Sequence, residues 1–587
     1  MNKQQVDYLL KNYKTQSVKQ LADELRLDRK EVQRELRKIL AAQAKVPVQA
    51  VGTFDAKRYL AWGILSLILL ATALIRIHLL PVPLERDEGE YAYIGQLLMR
   101  GVPPYVGAYD MKLPGVFVVY ALLMTIFGQT HAGIHMGLLV VNAVTIVIVF
   151  LLGKRLFNSA AGIASAASFA LLSVTHSVQG IFANTEHFLI LPVLGGILLL
   201  LRALDSGRIK GLFPSGLLLG IGFLMKQHSV IFTAFAGLYL VYYELRSRPV
   251  LWKRFLARGV LLALGAVIPF GLTCLYFWSI GAFDKFWFWT FTYARGYATS
   301  LPLSDIVIKH FQEQISEILS SCPLLWILAG AGLTALLWNK KARSRVFFTL
   351  GFLVFSFFAV CPGFYFRAHY FILLLPAVSL LAGLAVSSAE SFLSDPDLAV
   401  VRRTIQGLLI CIPLLHSIYQ ERDFLFHMSP EAISRMVYGT NPFVESLEVA
   451  KYIQSHTKEN DRIAVIGSEP QIYFYSNRLS ATKYVLTYWL MEIHKYALKM
   501  QQEMTQEIQA ARPEFLVFAH INTSWLRRPQ SEGFIFDWFE RYQEEHYDRV
   551  GFVDILLGEE TEYLWDQNAV GHAPRSEYWL SIYRRRK

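Results

Sequence analysis

The chain has 587 residues, 54% of them hydrophobic before glycine is counted and only 18% charged, whereas soluble domains average about 45 to 50% apolar with glycine and about 25% charged. That excludes an ordinary soluble enzyme. The formal charge of +11 would suit nucleic acid, but lysine and arginine crowd into short loops between apolar runs, as the cytoplasmic loops of a membrane protein require, so nucleic acid is not the expected partner.

Residues 1 to 50 form a polar, basic prelude, so no cleavable signal peptide is expected. Its apolar positions Val18, Leu21, Leu25, Val32, Leu36 and Ile39, interrupted at Leu27 and Asp28, predict two amphipathic helices and a turn. The pattern resembles a helix-turn-helix, with Gln20 to Leu25 as one helix and Arg29 to Leu40 as the candidate recognition helix, and it equally suits a cytosolic helical hairpin.

Tyr59 to Leu80 is the first of a series of apolar runs that approach or exceed the roughly 20 residues needed to cross about 30 Å of hydrocarbon. Basic clusters recur between the runs at Lys154-Arg155, Arg202 to Lys210, Arg246 to Arg258, Lys340 to Arg345 and Arg402-Arg403. Placing these inside puts the loops around Asp87, Glu186, Lys226, Asp305 and Arg367 outside, and the chain alternates through about eleven spans. Leu113 to Phe127 reaches only about 22 Å as a helix and is read as juxtamembrane. Everything after about Tyr419 is then extracytoplasmic. There, strand-like runs at Arg462 to Gly467, Phe515 to Ala519 and Val550 to Leu556, with helical stretches over Thr487 to Ala511, predict a soluble α/β layer from residue 421 to 587. The expected class is therefore a mainly α polytopic membrane protein (59 to 420) carrying that domain. Cys274, Cys322, Cys361 and Cys411 all lie in or beside apolar runs and predict neither disulfides nor zinc. The Gly467-Ser468-Glu469 turn lacks the further glycines of a dinucleotide fingerprint.

Chemistry concentrates in the outer loops. The first begins Glu85-Arg86-Asp87-Glu88-Gly89-Glu90-Tyr91 and continues to Asp110-Met111-Lys112-Leu113-Pro114-Gly115. Carboxylates beside hydrocarbon are desolvated, which raises their pKa and suits one of them to general-base work; a solvated loop cap is the alternative. Glu186 sits in Ala183-Asn184-Thr185-Glu186-His187 at the outer end of a span, where an isolated charge is costly. Lys226-Gln227-His228 and Arg367-Ala368-His369-Tyr370 fall on the same side. Cations for phosphate oxygens and carboxylates for an acceptor hydroxyl or a metal ion are what a phosphate-bearing lipid substrate needs, although snorkelling and internal ion pairs explain any one of them alone. Trp287, Trp289, Tyr293 and Tyr297 suit either stacking on sugar or polyprenyl chain, or, better, an interfacial belt.

In order along the chain, Asp-Glu-Gly-x-Tyr at 87 to 91, Lys-Leu-Pro-Gly at 112 to 115, Gly-Lys-Arg-Leu-Phe at 153 to 157, Glu186, Gly-Phe-Leu-Met-Lys at 222 to 226 and His-Tyr-Phe-x-Leu-Leu-Leu-Pro at 369 to 376 resemble the GT-C glycosyltransferases, in the branch of the protein O-mannosyltransferases and the lipid A aminoarabinose transferase. The resemblance spans residues 59 to 420. It implies a membrane transferase that takes sugar from a polyprenyl-phosphate donor to a lipid, glycan or protein hydroxyl at the outer face of the cytoplasmic membrane. Asp87, with Glu88 beside it, then matches the catalytic aspartate; Lys112 and Lys226 match donor-contacting cations; Glu186 matches a second-loop acid; Arg367, His369 and Tyr370 fall in the late phosphate-binding loop. The turn departs from the commoner Lys-Pro-Pro, and Asp110 supplies its nearby acid. No cofactor is assigned, with a divalent ion as an optional partner of Glu88 and Glu186. A transporter or flippase of lipid-linked sugars would spread its charges toward the midplane of both halves, and a membrane sensor with a cytosolic helix-turn-helix would need only a few spans.

Overall fold

The computed structural model describes residues 5, 8, 9, 12, 16–25, 27–29, 31–33, 35–36, 56–246, 249–299, 304–392 and 396–587. They fall into two units, residues 1–62 and 63–587. In the first, the helix Val18–Leu25 starts at Ser17, whose backbone N–H and hydroxyl donate to Gln20 Oε1 at 2.9 Å while Gln20 N–H returns to Ser17 Oγ at 3.4 Å, a reciprocal cap. Leu9, Leu21, Ala22 and Val32 form its small core, with Leu25, Leu27 and Leu36 packed against it. This helix lies where the first of the two was expected; the expected second helix, Arg29 to Leu40, falls partly outside the described residues.

The second unit is built from apolar helices. Among the described residues five reach membrane-spanning length and hydropathy: Tyr59–Leu79, His131–Leu156, Thr185–Ser206, Trp252–Ser279 and Ala399–Gln420. A sixth candidate is the pair Asp305–Ser321 and Pro323–Trp338, bent by 99° at Cys322. Gly115–Phe127, Ser159–Leu172, Ile209–Met225, Val346–Val360 and Leu375–Ser391 are apolar but shorter. The expected eleven spans are thus not eleven long helices. Leu67, Leu70 and Leu74 on the first span, and Leu256, Leu272 and Leu275 on the fourth, are more than half exposed, which in this multi-pass membrane protein is the lipid-facing side. Small residues let helices approach closely: a Cβ on Gly216 or Gly220 of the helix Leu212–Met225 would collide with backbone of the span Trp252–Ser279.

After Gln420 the chain builds a six-stranded mixed sheet from β1 (Arg462–Ile466), β2 (Leu479–Ser480), β3 (Phe515–His520), β4 (Tyr547–Asp554), β5 (Glu562–Trp565) and β6 (Trp579–Arg585), in the order β2-β1-β3-β6-β4-β5. β1 runs parallel to β2 and β3, while β6 and β4 add antiparallel. Three strands match the expected runs. The short β2, and β5 and β6, have too little apolar alternation to be read locally. The helices Ala497–Ala511 and Phe534–His546 pack together beside the sheet.

Two motif glycines lock this domain and the loops onto the helices. A Cβ on Gly89, in the helix Arg86–Met99, would stand 2.7 Å from the Gln471 backbone nitrogen, so the start of the helix Gln471–Ser476 seats directly on the acidic loop. A Cβ on Gly115 would stand 2.5 Å from the Leu224 carbonyl oxygen, which brings Lys112 beside the turn bearing Lys226. Gly89→Ala is expected to cost about 1–3 kcal/mol through overpacking against backbone, read as a lowered melting temperature of the detergent-solubilised protein. Gly259→Ala, where a Cβ meets nothing within 4 Å, is the control and leaves melting unchanged or slightly raised.

Candidate active site

Asp87 lies in the first turn of the helix Arg86–Met99, a turn built to hold acids. Glu85 is its N-cap, accepting from the backbone N–H groups of Asp87 at 3.0 Å and Glu88 at 3.1 Å, and Glu88 returns the contact to Glu85 N–H at 3.2 Å. Negative charge is favoured at that helix end. The Asp87 carboxylate accepts from the Tyr91 hydroxyl at 3.3 Å and stands 3.7 Å from Lys112 Nζ. Lys112 in turn lies 5.0 Å from the centre of the Tyr91 ring. The Asp-Glu-Gly-x-Tyr spacing therefore places acid, aromatic and, through the loop, lysine in one cluster.

The loop carrying Lys112 is fixed by its own polar groups. Tyr105 donates its hydroxyl to the Lys112 carbonyl at 2.6 Å, and Lys112 N–H donates to Asp110 Oδ1 at 3.0 Å. From the hairpin turn, the Gln227 amide donates to the carbonyls of Met111 and Thr290, both at 3.1 Å, tying three segments together. Lys226 beside it pairs with buried Glu186 at 2.5 Å and lies 3.7 Å over the Tyr370 ring. His369 Nδ1 contacts Gln179 Oε1 at 3.1 Å, and His228 Nδ1 contacts the Ala359 carbonyl at 2.9 Å.

These segments enclose a cavity of about 790 Å³, within the range of small-ligand sites. Of the residues singled out in the sequence, Asp87, Lys112, Lys226, Arg367, His369 and Tyr370 line it. Glu88, Asp110 and Glu186 do not. Glu88, fully buried, accepts from Ala183 N–H at 2.5 Å and contacts His135 Nε2 at 2.9 Å, so it anchors the Asp87 turn to the loop before Thr185 instead of lining the cavity. Asp110 shapes the Lys112 loop, and Glu186 is the counter-ion of Lys226. A divalent ion does not fit this donor set: Asp87 is engaged by Lys112, Glu186 by Lys226 and Glu88 by His135 and backbone N–H, and the three carboxylates do not converge on one point.

Electrostatics single out Asp87. Burial raises the carboxyls of Glu85, Glu90 and Asp110, as expected for acids near hydrocarbon. Burial pushes Asp87 the same way, but Lys112 above all, then His369, Arg367 and Lys226, outweigh it and hold the group down to about 2. The expected rise is thus reversed at Asp87, while Glu85, which also lines the cavity, follows it. Burial, assisted by Lys226 and Arg367, pushes His369 down to about 4, so it offers a hydrogen bond at neutral pH and not a charge. Among the described residues Arg367 and Arg295, both in the cavity wall, have no carboxylate within ion-pair distance.

Several cavity residues carried no local signal. Arg86 reaches the C-terminal domain, donating to the Ser468 carbonyl at 2.5 Å, to Asn441 Oδ1 at 3.0 Å and to Glu469 at 2.7 Å. Tyr438, Asn441, Tyr488 and Thr523 of that domain also line the cavity. The aromatic segment divides: Trp289 and Tyr293 are buried against Trp489, Tyr297 stacks on Tyr365 with centroids 4.6 Å apart, and only Trp287 is largely exposed, so most of this run is an internal joint and not an interfacial belt. Glu88→Ala would leave buried N–H donors unpaired at about 1–3 kcal/mol each. It should lower the melting temperature by several degrees, whereas Asp87→Asn should leave melting within about a degree of the unmutated chain.

A family model described as dolichyl-phosphate-mannose-protein mannosyltransferase matches residues 111–272, which include Lys112, Glu186 and Lys226. The undecaprenyl phosphate-alpha-4-amino-4-deoxy-L-arabinose arabinosyl transferase of Pseudomonas aeruginosa is 27% identical over 247 residues, 38% of this chain and 42% of that one. The chain thus spans less than half the length of the curated relatives it matches. Among solved structures, ArnT from Cupriavidus metallidurans bound to undecaprenyl phosphate superposes with a TM-score of 0.56 at 14% identity, covering 90% of this chain and 98% of that one. Its apo form gives a TM-score of 0.56 at 15% identity, covering 89% and 98%. The chain accordingly has the GT-C fold of these structures and resembles the mannosyltransferase and aminoarabinose transferase group.

Proposed function

We propose that this protein is a membrane glycosyltransferase that moves a sugar from a polyprenyl-phosphate-linked donor to an acceptor hydroxyl, with inversion at the sugar carbon. The observation that carries the reading is the unneutralised Arg367, beside Lys112 and Lys226, facing an ionised Asp87 across one cavity. Such a site offers cations to a phosphate and a carboxylate to a hydroxyl. The cavity belongs to the outer face of the cytoplasmic membrane in this reading, with the N-terminal segment (1 to 50) cytoplasmic, the catalytic helices over 59 to 420 and the C-terminal domain (421 to 587) extracytoplasmic. The acceptor is a lipid, glycan or protein.

In the reaction the acceptor oxygen bonds to the anomeric carbon as the bond from that carbon to the phosphate oxygen breaks. The acceptor proton passes to Asp87, and the electron pair leaves with the phosphate toward Lys112, Lys226 and Arg367. Lys112 is shared between the two ends of this process. It is the foremost charge depressing Asp87, which leaves a carboxylate that is ionised but weakly basic. A donor phosphate that draws Lys112 to itself releases Asp87 to become a stronger base in the complex. Glu186 steadies Lys226, and Tyr370 covers it.

Acceptor-dependent release of free polyprenyl phosphate from a donor labelled in the lipid tests the reading; a flippase or sensor releases none. Asp87→Asn should lower transfer by about 10²–10⁴-fold without impairing insertion, and undiminished turnover would sink the assignment. Arg367→Gln should weaken binding of undecaprenyl phosphate itself by about tenfold or more. The pH profile supplies a further check. Because Asp87 stays ionised until the pH falls to about 2, kcat/KM should show no Asp87 limb between about pH 5 and 7. In Lys112→Met the carboxyl loses its main partner, its pKa rises, and an acid limb should enter that window from below.

A further inference from the structure

The two walls of the cavity differ in chemistry. On the membrane-domain side stand Lys112, Lys226, Arg295 and Arg367, together with Asp87. The part contributed after Gln420 carries no ionisable charge at neutral pH: it presents Tyr438, Thr440, Asn441, Tyr488 and Thr523 among apolar neighbours. Part of this wall is already committed to its own structure. Asn441 Oδ1 accepts from Arg86 at 3.0 Å and from the Thr523 hydroxyl at 2.7 Å, and its amide donates to the Tyr438 carbonyl at 2.5 Å.

Tyr488 hydrogen-bonds only through its backbone, and its ring meets Trp489 edge-on with centroids 5.8 Å apart. Its N–H donates to Ser468 Oγ at 3.0 Å, as the Thr487 N–H does at 2.9 Å, so the Gly467-Ser468-Glu469 turn that reads as a failed dinucleotide fingerprint is what aims this residue. The same turn supplies Glu469, which grips Arg86 one residue before Asp87. The Tyr488 side chain is 9% exposed and lines the cavity, close enough to Asp87 and Arg367 for each charge to bear on it. Among the described residues its hydroxyl has no hydrogen-bond partner, and neither has that of Thr440, and both oxygens stay accessible. An accessible, unpartnered hydroxyl on a mostly buried residue, aimed by a dedicated turn beside the reacting groups, calls for a ligand that makes neutral hydrogen bonds.

We infer that the C-terminal domain forms the subsite for the donor's sugar ring, a neutral pyranose or furanose, and that the Tyr488 hydroxyl hydrogen-bonds that ring between the phosphate cations and Asp87. This rests on the transferase reading above. It assigns the C-terminal domain a direct part in choosing the sugar, while the cationic wall binds any polyprenyl phosphate whatever it carries. An uncharged, hydroxyl-rich and aromatic surface suits a sugar because a ring exchanges water hydrogen bonds for equivalent ones and lays its apolar face on the rings.

The test compares full-length Tyr488→Phe and Thr440→Val with the unmutated chain in detergent, measuring binding of undecaprenyl phosphate and of a panel of undecaprenyl-phosphate hexoses and pentoses. In the unmutated chain at least one conjugate should bind more tightly than the bare lipid phosphate. Tyr488→Phe should weaken that conjugate about 5- to 10-fold while binding of undecaprenyl phosphate and the melting temperature stay unchanged; Thr440→Val should weaken it in the same selective way. Equal loss for conjugate and bare lipid phosphate, no loss for either, or a rise in acceptor KM with donor binding intact would each overturn the assignment. Absence of undecaprenyl phosphate binding to the unmutated chain would overturn the transferase reading itself, a different result from any of these.

Discussion

A cation beside hydrocarbon is costly unless an anion or a ligand takes up its charge, and that constraint orders this site. Lys226 is met by Glu186, Arg86 by Glu469 and Lys112 by Asp87. Arg367 meets no carboxylate at ion-pair distance among the described residues and lines the cavity instead. The pairs differ in how they are buried. Glu186 and Glu469 are fully buried behind their partners, whereas the Asp87 side chain is 23% exposed and Lys112 13%. The exposed pair is the one a substrate can part. Breaking a fully buried pair would leave a naked charge; exchanging Lys112 between Asp87 and a phosphate leaves none.

The same economy of charge explains the acids that do not face the cavity. Glu88 stands next to Asp87 in sequence, but successive residues of a helix point about 100° apart, so the two carboxylates cannot share a direction. One enters the cavity while the other turns to His135 and Ala183 N–H. Glu90, three residues from Asp87, is fully buried behind the cavity wall, and burial raises its carboxyl. A dense acidic loop at a membrane surface is thus mostly scaffold for a single working carboxylate. The scaffold extends into the C-terminal domain, because Gly89 lets Gln471 seat on the loop and Arg86 binds the turn at Ser468 and Glu469.

Membrane class, the short apolar helix after Lys112, and the parallel strands β1 and β3 were legible in the sequence because hydropathy, run length and alternation are properties of a few consecutive residues. So was the gathering of Asp87, Lys112, Lys226 and Arg367, since each sits at a break between apolar runs and the breaks fall on one side. The number of long helices was less legible, because spans such as that ending at Leu172 or beginning at Leu375 are short helices continued by 3₁₀ turns. The aromatic run from Trp287 to Tyr297 was misweighted for a related reason: an interfacial belt and a domain joint have the same composition, and only the position of Trp489, some 200 residues later, distinguishes them.

By itself the sequence determined that this chain lies in a membrane, carries an acidic loop after its first span and later cations, and ends in an α/β layer, all consequences of local pattern. Tertiary structure alone decided which acids face the cavity, that Asp87 is depressed in pKa where its neighbours are raised, and that Tyr488 joins the lining. Those outcomes depend on distances between side chains from separate elements. Coulombic and desolvation energies follow through-space separation and burial, neither of which spacing along a chain encodes.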